Sequence, residues 1–280
     1  MSRKKVIKNE SKNISFAKVA IIVFRVVSII IILICLVVLY NWHLNNTQNE
    51  AIKDELGEFA SLKDNGPVIS TESSNSEGEG NDDSAPVQNT GELELAVDFN
   101  ALKEKNSDTV AWVKVNNTNI DFPVVKASDN NYYLKRNFNK KSNGAGWIFA
   151  DYRNNFEILD KNTIIYGHNR RNGTMFSNLE YLLKDSWNFE NENKQFYFST
   201  EQANYDAEIF SVYMIKASKL TIPNQFVDNA EFQNYIKSLK ELSIHEFNVE
   251  ITENDNIITL CTCDSTSKNR IVVHAKLIKK

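Results

Sequence analysis

The stretch "TLCTCDSTSKNRIVVHAKL", from Thr259 to Leu277, contains two runs of apolar and β-branched residues separated by a polar loop. Apolar runs bounded by turn-forming residues predict the two strands of a hairpin. The first run ends at Cys263 and the second begins at Arg270. A hairpin would therefore place these two residues side by side.

Strand-like segments recur upstream of this hairpin. "TVAWVKVNNTNIDFPVV" alternates apolar and polar residues around an asparagine-rich break, and "NTIIYGH", "QFYFST" and "YDAEIFSVYMI" are further strand candidates. Three short segments have the apolar spacing of helices: "DFNALKEKNSD", "SNLEYLL" and "AEFQNYIKSLKEL". Because strands dominate, we expect a mainly β barrel or sandwich with peripheral helices over residues 92–280.

The N-terminal part predicts a membrane anchor. The apolar run from Val19 to Tyr40 contains one charge, Arg25, and exceeds the roughly 20 residues needed to cross a bilayer. Basic residues precede this run, and the next one after it is Lys53, so the positive-inside rule places residues 1–18 in the cytoplasm and the rest of the chain outside. A cleaved signal peptide is the alternative, but no small-residue cleavage site follows the run.

Residues 41–91 are polar and acidic, with almost no large apolar residue in "STESSNSEGEGNDDSAPVQNTGE". Such a composition cannot bury a core, so we expect a disordered linker that holds the domain away from the membrane, with Ala51 to Leu62 as a candidate short helix or stalk. The full chain has 280 residues and a net charge of −4, without a long basic stripe beyond its first residues. Nucleic acid is therefore not an expected partner.

The sequence has three cysteines, and one of them, Cys35, lies in the apolar run. A disulfide between Cys261 and Cys263 would close a small, strained ring. A zinc site needs more ligands than one C-x-C pair offers, so we expect no metal and no cofactor. Cys263 stands where a strand meets a loop, which favours it as a nucleophile and Cys261 as a buried neighbour. The alternative is that both are small core residues.

A cysteine nucleophile needs a basic partner, because an ordinary thiol is mostly protonated at neutral pH. His168 follows the strand candidate "NTIIY" and Gly167, at a strand end where catalytic groups are often presented, and is the first choice. His274, inside a strand, is second and is more simply a structural histidine. His43 flanks the membrane run, and His245 is most simply a surface or capping residue.

Arg270 cannot act as a base, but its planar fork of donors can hold a substrate carbonyl or an oxyanion. The alternative is a solvated arginine at a strand edge. Its expected position beside Cys263 favours the functional interpretation.

These residues resemble a known family. "TLCTC" is similar to the T-L-x-T-C signature of sortases, "YGHN" to the segment with their histidine, and "NRIVVHA" to the strand with their arginine. The likeness extends through "SDTVAWVKVNNTNIDFPVV" and "GAGWIFADYRN", and with a helix before the first strand it most resembles class B sortases. It implies a closed sortase-type β-barrel and a membrane-anchored transpeptidase of Gram-positive bacteria.

The resemblance assigns the catalytic roles to Cys263, His168 and Arg270. It implies acyl transfer, in which the thiolate cleaves a threonine-containing sorting motif and a peptidoglycan amine resolves the thioacyl enzyme. It also suggests that the sorting peptide is bordered by Asn130, Leu134, Tyr235, Ile236, Cys261, Thr262 and Asp264. Class B members often have serine where this chain has Cys261.

Two alternatives stay open at this point. A non-enzymatic, membrane-tethered adhesin would need none of these residues for activity. An extracellular cysteine peptidase would differ only in using water to resolve the intermediate.

Overall fold

A computed structural model describes residues 11–64, 93–187, 189, 191–263 and 268–280. The chain divides into two compact units, the first ending at Gln48 and the second running from Asn49 to Lys280. Helix α1 (Ser11–Gly57) forms the described part of the first unit and continues into the second. Its apolar stretch is long enough to cross a membrane, and its side chains there are exposed, which suggests a membrane anchor.

The second unit contains a closed eight-stranded barrel. Its strands are β3 (Thr109–Val115), β4 (Asp121–Val125), β5 (Phe149–Ala150), β6 (Asn162–Tyr166), β7 (Gln195–Thr200), β8 (Asn204–Lys216), β9 (Asn256–Cys263) and β10 (Asn269–Lys279). Around the barrel the order is β10-β8-β7-β3-β4-β5-β6-β9. Neighbours are antiparallel except β4 with β5 and β6 with β9. The expected mainly β barrel is confirmed.

Helices lie between the strands, as the sequence predicts. Helix α2 (Phe99–Lys105) begins after Asp98, whose side chain accepts a hydrogen bond from the Ala101 amide. Helix α3 (Asn229–Leu242) is capped in the same way by Asp228. The segment "SNLEYLL" forms a 3₁₀ helix over Ser177–Leu183. The spacing of three between the buried Leu179 and Leu182 suits that tighter helix.

Two pieces of the predicted linker are ordered. Helix α1 extends to Gly57. Strand β1 (Ala60–Asp64) pairs antiparallel with β2 (Leu93–Val97), which begins just after the predicted domain boundary at residue 92. Leu56 is buried in the larger core cluster, and this contact holds the end of α1 against the barrel unit. Residues 65–92 lie outside the described residues.

Buried side chains form two clusters. The larger includes Trp112, Phe198 and Leu260, and the smaller packs α3 against β8, β9 and β10 and contains Cys261.

His274 lies fully buried between Thr259 and Tyr213. Its Nδ1 is 2.8 Å from the threonine hydroxyl oxygen, and its Nε2 is 3.1 Å from the tyrosine hydroxyl oxygen. Both ring nitrogens therefore have hydrogen-bond partners inside the protein. Its interpretation as a structural histidine fits this environment.

The burial of His274 predicts acid sensitivity. Burial lowers its pKa to about 3, so below the unfolded-state pKa of about 6.5 the unfolded chain binds the proton more readily. The free energy of unfolding should therefore decrease as the pH is lowered from 6.5 to 3, by up to about 1.4 kcal/mol per pH unit from this group. Denaturant unfolding of the wild type and of His274→Gln over this range should give a shallower dependence for the variant. Parallel curves would contradict this account.

Candidate active site

Three predicted site residues lie at the ends of neighbouring strands. In the parallel pairing of β6 with β9, Tyr166 is opposite Cys261, and the Gly167 amide donates to the Cys261 carbonyl at 3.2 Å. His168 lies two residues after Tyr166, and Cys263 lies two residues after Cys261. In the antiparallel hairpin, Arg270 of β10 is the register partner of Cys263. The topology therefore puts Cys263 on the strand between the other two.

A cleft of about 530 Å³ opens at this end of the barrel. Of the residues proposed from sequence, those that line it are Asn130, Leu134, His168, Cys261, Thr262 and Arg270. The others that line it, which the sequence did not single out, are Asn131, Phe149, Arg153, Tyr166, Gly167, Leu220, Thr221 and Ile222. The loop after β8 thus supplies one wall, and the segment before β5 supplies another.

The imidazole of His168 is fixed by the backbone around it. Its Nε2 lies 2.8 Å from the Leu134 carbonyl oxygen, which can only accept, so Nε2 carries the hydrogen and Nδ1 is left for other groups. Gly146 lies against the ring, and a Cβ on this glycine would come within 2.9 Å of His168 Cδ2. The hydrogen bond and the close approach of Gly146 together set the orientation of the half-buried ring.

A buried carboxylate holds three of the residues that line the cleft. Asp151 is fully buried and accepts from Arg153 Nε at 2.8 Å, from Asn130 Nδ2 at 3.0 Å and from the Tyr166 hydroxyl at 3.1 Å. Burial alone would raise the pKa of Asp151, but the hydrogen bonds from Arg153 and Asn130 outweigh it and the pKa is lowered. The segment "ADYRN", with an acid and an arginine two residues apart after an apolar run, was the sequence signal for this pair.

The other proposed peptide-binding residues are placed differently. Ile236 is buried in the smaller core cluster, and Tyr235 packs beside it with its ring 5.2 Å from that of Phe226. Neither is among the residues that line the cleft, although Cys261 belongs to the same cluster. Asp264 lies outside the described residues.

His245 is half-buried, whereas the sequence suggested a surface or capping residue. Its Nε2 lies 2.9 Å from the Leu182 carbonyl oxygen, and the centre of its ring lies 4.9 Å from that of Phe189. It therefore serves packing between the 3₁₀ helix and the segment after α3.

Gly146→Ala should lower turnover by roughly tenfold or more, because it would displace His168, the predicted partner of the nucleophile, and small displacements of such a group are costly. Its φ of +62° disfavours any side chain, and the new Cβ would meet the His168 ring. Gly173→Ala is the matched control, since its φ is +82° but open space surrounds it. Steady-state kinetics and melting curves are compared for both variants. Gly146→Ala should also lose more stability, because its Cβ would lie 2.7 Å from the Tyr133 carbonyl oxygen, but its activity should fall out of proportion to that loss. Equal losses of activity would count against a role for Gly146 in placing His168.

Comparison with known proteins decides the family. Residues 113–278 match the family described as Sortase domain. The chain belongs to the sortase family. It is 39% identical over 191 residues to sortase B of Listeria monocytogenes, covering 67% of this chain and 76% of that protein. This likeness places it among the class B sortases, which confirms the resemblance seen in the sequence.

Solved sortase B structures share the fold. A Staphylococcus aureus sortase B–substrate complex superposes with a TM-score of 0.61 at 35% identity, over 65% of this chain and 84% of that one. A sortase B complexed with triglycine gives a TM-score of 0.61 at 35% identity, over 65% and 85%. The family match and the curated relatives therefore make the chain a cysteine transpeptidase of the sortase type.

Proposed function

We propose that Cys263 is the nucleophile of this sortase, His168 its acid and base, and Arg270 the donor that holds the substrate carbonyl. The observation that carries this assignment is the pairing of β6, β9 and β10, which brings the ends of the three strands together beside one cleft. Strand ends held in a closed barrel give catalytic groups fixed positions.

Acylation follows from these roles. The Cys263 thiolate attacks the carbonyl carbon of a threonine in the sorting motif, and the Arg270 guanidinium stabilises the resulting oxyanion. The C–N bond then breaks, and protonated His168 gives its proton to the leaving amine. The product is a thioester between the threonine carbonyl and Cys263.

Deacylation reverses the proton's path. A primary amine of the peptidoglycan precursor attacks the thioester and gives up a proton to His168, and the new amide bond releases the Cys263 thiolate. The sortase B structure with triglycine supports an amine of this kind as acceptor. The product is a surface protein joined to the cell wall.

The sorting peptide is proposed to lie along the cleft beside Asn130, Leu134, Cys261 and Thr262. The Asn130 side chain donates from Nδ2 to Asp151 and accepts at Oδ1 from the backbone amide of Tyr152. These two hydrogen bonds fix the orientation of its polar side chain.

The remaining peptide-binding candidates are Tyr235, Ile236 and Asp264. We assign Tyr235 and Ile236 to the support behind Cys261, in the cluster that all three share. Asp264 follows Cys263 in the chain, which supports a place at the edge of the groove.

The enzyme is proposed to be a single-pass membrane protein with a cytoplasmic N-terminus and an extracellular barrel. The excess of basic residues before Val19 supports this orientation. Anchoring would hold the enzyme where exported proteins and wall precursors pass, which raises their effective concentration.

The test uses the full chain in detergent micelles, incubated with a library of threonine-containing sorting peptides with and without triglycine. Mass spectrometry should find peptides joined to triglycine and, without it, a thioester on Cys263. Hydrolysis that triglycine cannot divert would indicate a peptidase. Absence of any cleavage across the library would contradict the proposed threonine-containing motif and the acylation step.

A further inference from the structure

The start of the second unit reaches the loop that carries Gly146. Asn49, in the last turns of α1, is buried and donates from Nδ2 to the Gly146 carbonyl oxygen at 2.9 Å. Its Oδ1 accepts from Asn143 Nδ2, also at 2.9 Å. Both ends of one buried amide are therefore used to hold one loop, residues 143–146.

That loop is the support of the His168 ring. Gly146 lies against one side of the imidazole, and a Cβ at Gly146 would also lie 2.9 Å from the Leu134 carbonyl oxygen, the acceptor of His168 Nε2. The Gly146 amide donates to the Asn143 carbonyl at 3.1 Å, so the two residues bonded by Asn49 are bonded to each other. A shift of this loop would move the ring and its hydrogen-bond acceptor together.

Other contacts dock the same segment without involving the loop. Lys53 Nζ donates to the Asn119 carbonyl at 2.8 Å and lies 4.9 Å from the centre of the Phe122 ring. Leu56 is 1% exposed, and β1 pairs with β2 along its whole length. The segment from Asn49 to Asp64 should therefore remain docked when the Asn49 amide alone is removed.

We propose that Asn49 is a positioning residue for His168, acting through the Gly146 carbonyl and the Asn143 amide. The inference rests on the proposed role of His168. It gives the end of α1 a part in catalysis, where the sequence indicated a linker. Asn49 touches neither substrate nor reacting atoms, and its effect is to fix the loop on which the imidazole rests.

Asn49→Leu removes both hydrogen bonds while keeping the branched shape of the side chain, so the Gly146 carbonyl loses its donor and the loop gains freedom. We expect kcat to fall about tenfold with KM nearly unchanged, because a misplaced catalytic group slows chemistry more than binding. The pH profile of acylation is recorded as well and should change, since a loss of stability alone would not move it. Asn49→Asp, which retains the acceptor for Asn143 but faces the Gly146 carbonyl with a carboxylate oxygen, should be impaired at least as much.

The matched control is Leu56→Ala in the same docked segment. It should lower the melting temperature more than Asn49→Leu does, while kcat and the pH profile stay close to those of the wild type. All variants are measured as full-length protein in detergent, with the best library peptide and triglycine. The proposal is overturned if Asn49→Leu keeps the wild-type kcat and pH profile, or if Leu56→Ala changes both to the same extent.

A separate outcome concerns the proposed function itself. His168→Ala is included in the same series and should be inactive. If it retains turnover, the role of His168 fails, whatever the Asn49 variants do. If it is inactive and Asn49→Leu behaves as wild type, only the positioning role is wrong.

Discussion

Replacement of Cys263 by alanine is expected to abolish the thioacyl enzyme and with it transpeptidation, whereas Cys261→Ser should keep substantial activity. Without a thiol at position 263 no acyl group can be held, and loss of a nucleophile in a comparable hydrolase costs about 10⁶-fold in kcat. Cys261 is buried and packs with α3, and its proposed role is to line the cleft without attacking.

The two cysteines can be separated by direct mapping. A peptide-like electrophile should modify Cys263 first, and peptide mass spectrometry should place the adduct there in the wild type and in Cys261→Ser. His168→Ala should slow the same labelling and leave no measurable transpeptidation, because the leaving amine then lacks its acid and general acid–base catalysis contributes about 10² to 10⁴-fold. An adduct on Cys261, or a thioacyl enzyme formed by Cys263→Ala, would show that the nucleophile has been misassigned.

Arg270→Lys is expected to lower turnover by about 10² to 10³-fold, the range found when an oxyanion donor is removed. Lysine keeps the positive charge but loses the planar fork, so the effect should fall on the transition state. Arg270 Nη1 also donates to the Asn269 carbonyl at 3.1 Å, a contact that folding stability can lose at little cost. Melting temperature should therefore change far less than turnover.

Arg171→Lys makes the matched exchange at an exposed position in the loop after His168. It should leave kcat/KM near the wild-type value, which shows that the assay is not responding to a general loss of arginine. Near-normal turnover in Arg270→Lys would reduce Arg270 to a surface charge.

The hairpin and its neighbours could be predicted because their sequence signals are local. Alternation in β3 and β4, and the polar break between β9 and β10, are set by residues close together in the chain. The placement of His168 beside the cysteine strand depends on a parallel pairing of β6 with β9, two strands that are far apart in the sequence. No local pattern fixes that partner, and only the likeness to sortases indicated it.

The parts that sequence did not predict depend on single long-range contacts. Asn49 is one asparagine in a polar stretch, and nothing around it announces that its amide bonds to Gly146, 97 residues away. Tyr235 and Ile236 belong to α3 and have helical spacing with other apolar residues, so their packing against the barrel follows from the pattern, but their absence from the cleft lining does not. Burial of a whole face is readable from periodicity, while the choice of one partner is not.

The pairing of β1 with β2 determines how the length of residues 65–92 affects this protein. Asp64 and Leu93 are register partners, so the chain on either side of residues 65–92 is held at one point of the barrel unit. The length of residues 65–92 therefore adds nothing to the connection between the apolar part of α1 and the barrel unit. Along the chain, that connection is the part from Tyr40 to Asn49. The thermodynamic weight of residues 65–92 is that of closing a loop, where a doubling of length costs only about 0.6 kcal/mol. A change in the length of this stretch should therefore have little consequence for the stability of the catalytic barrel.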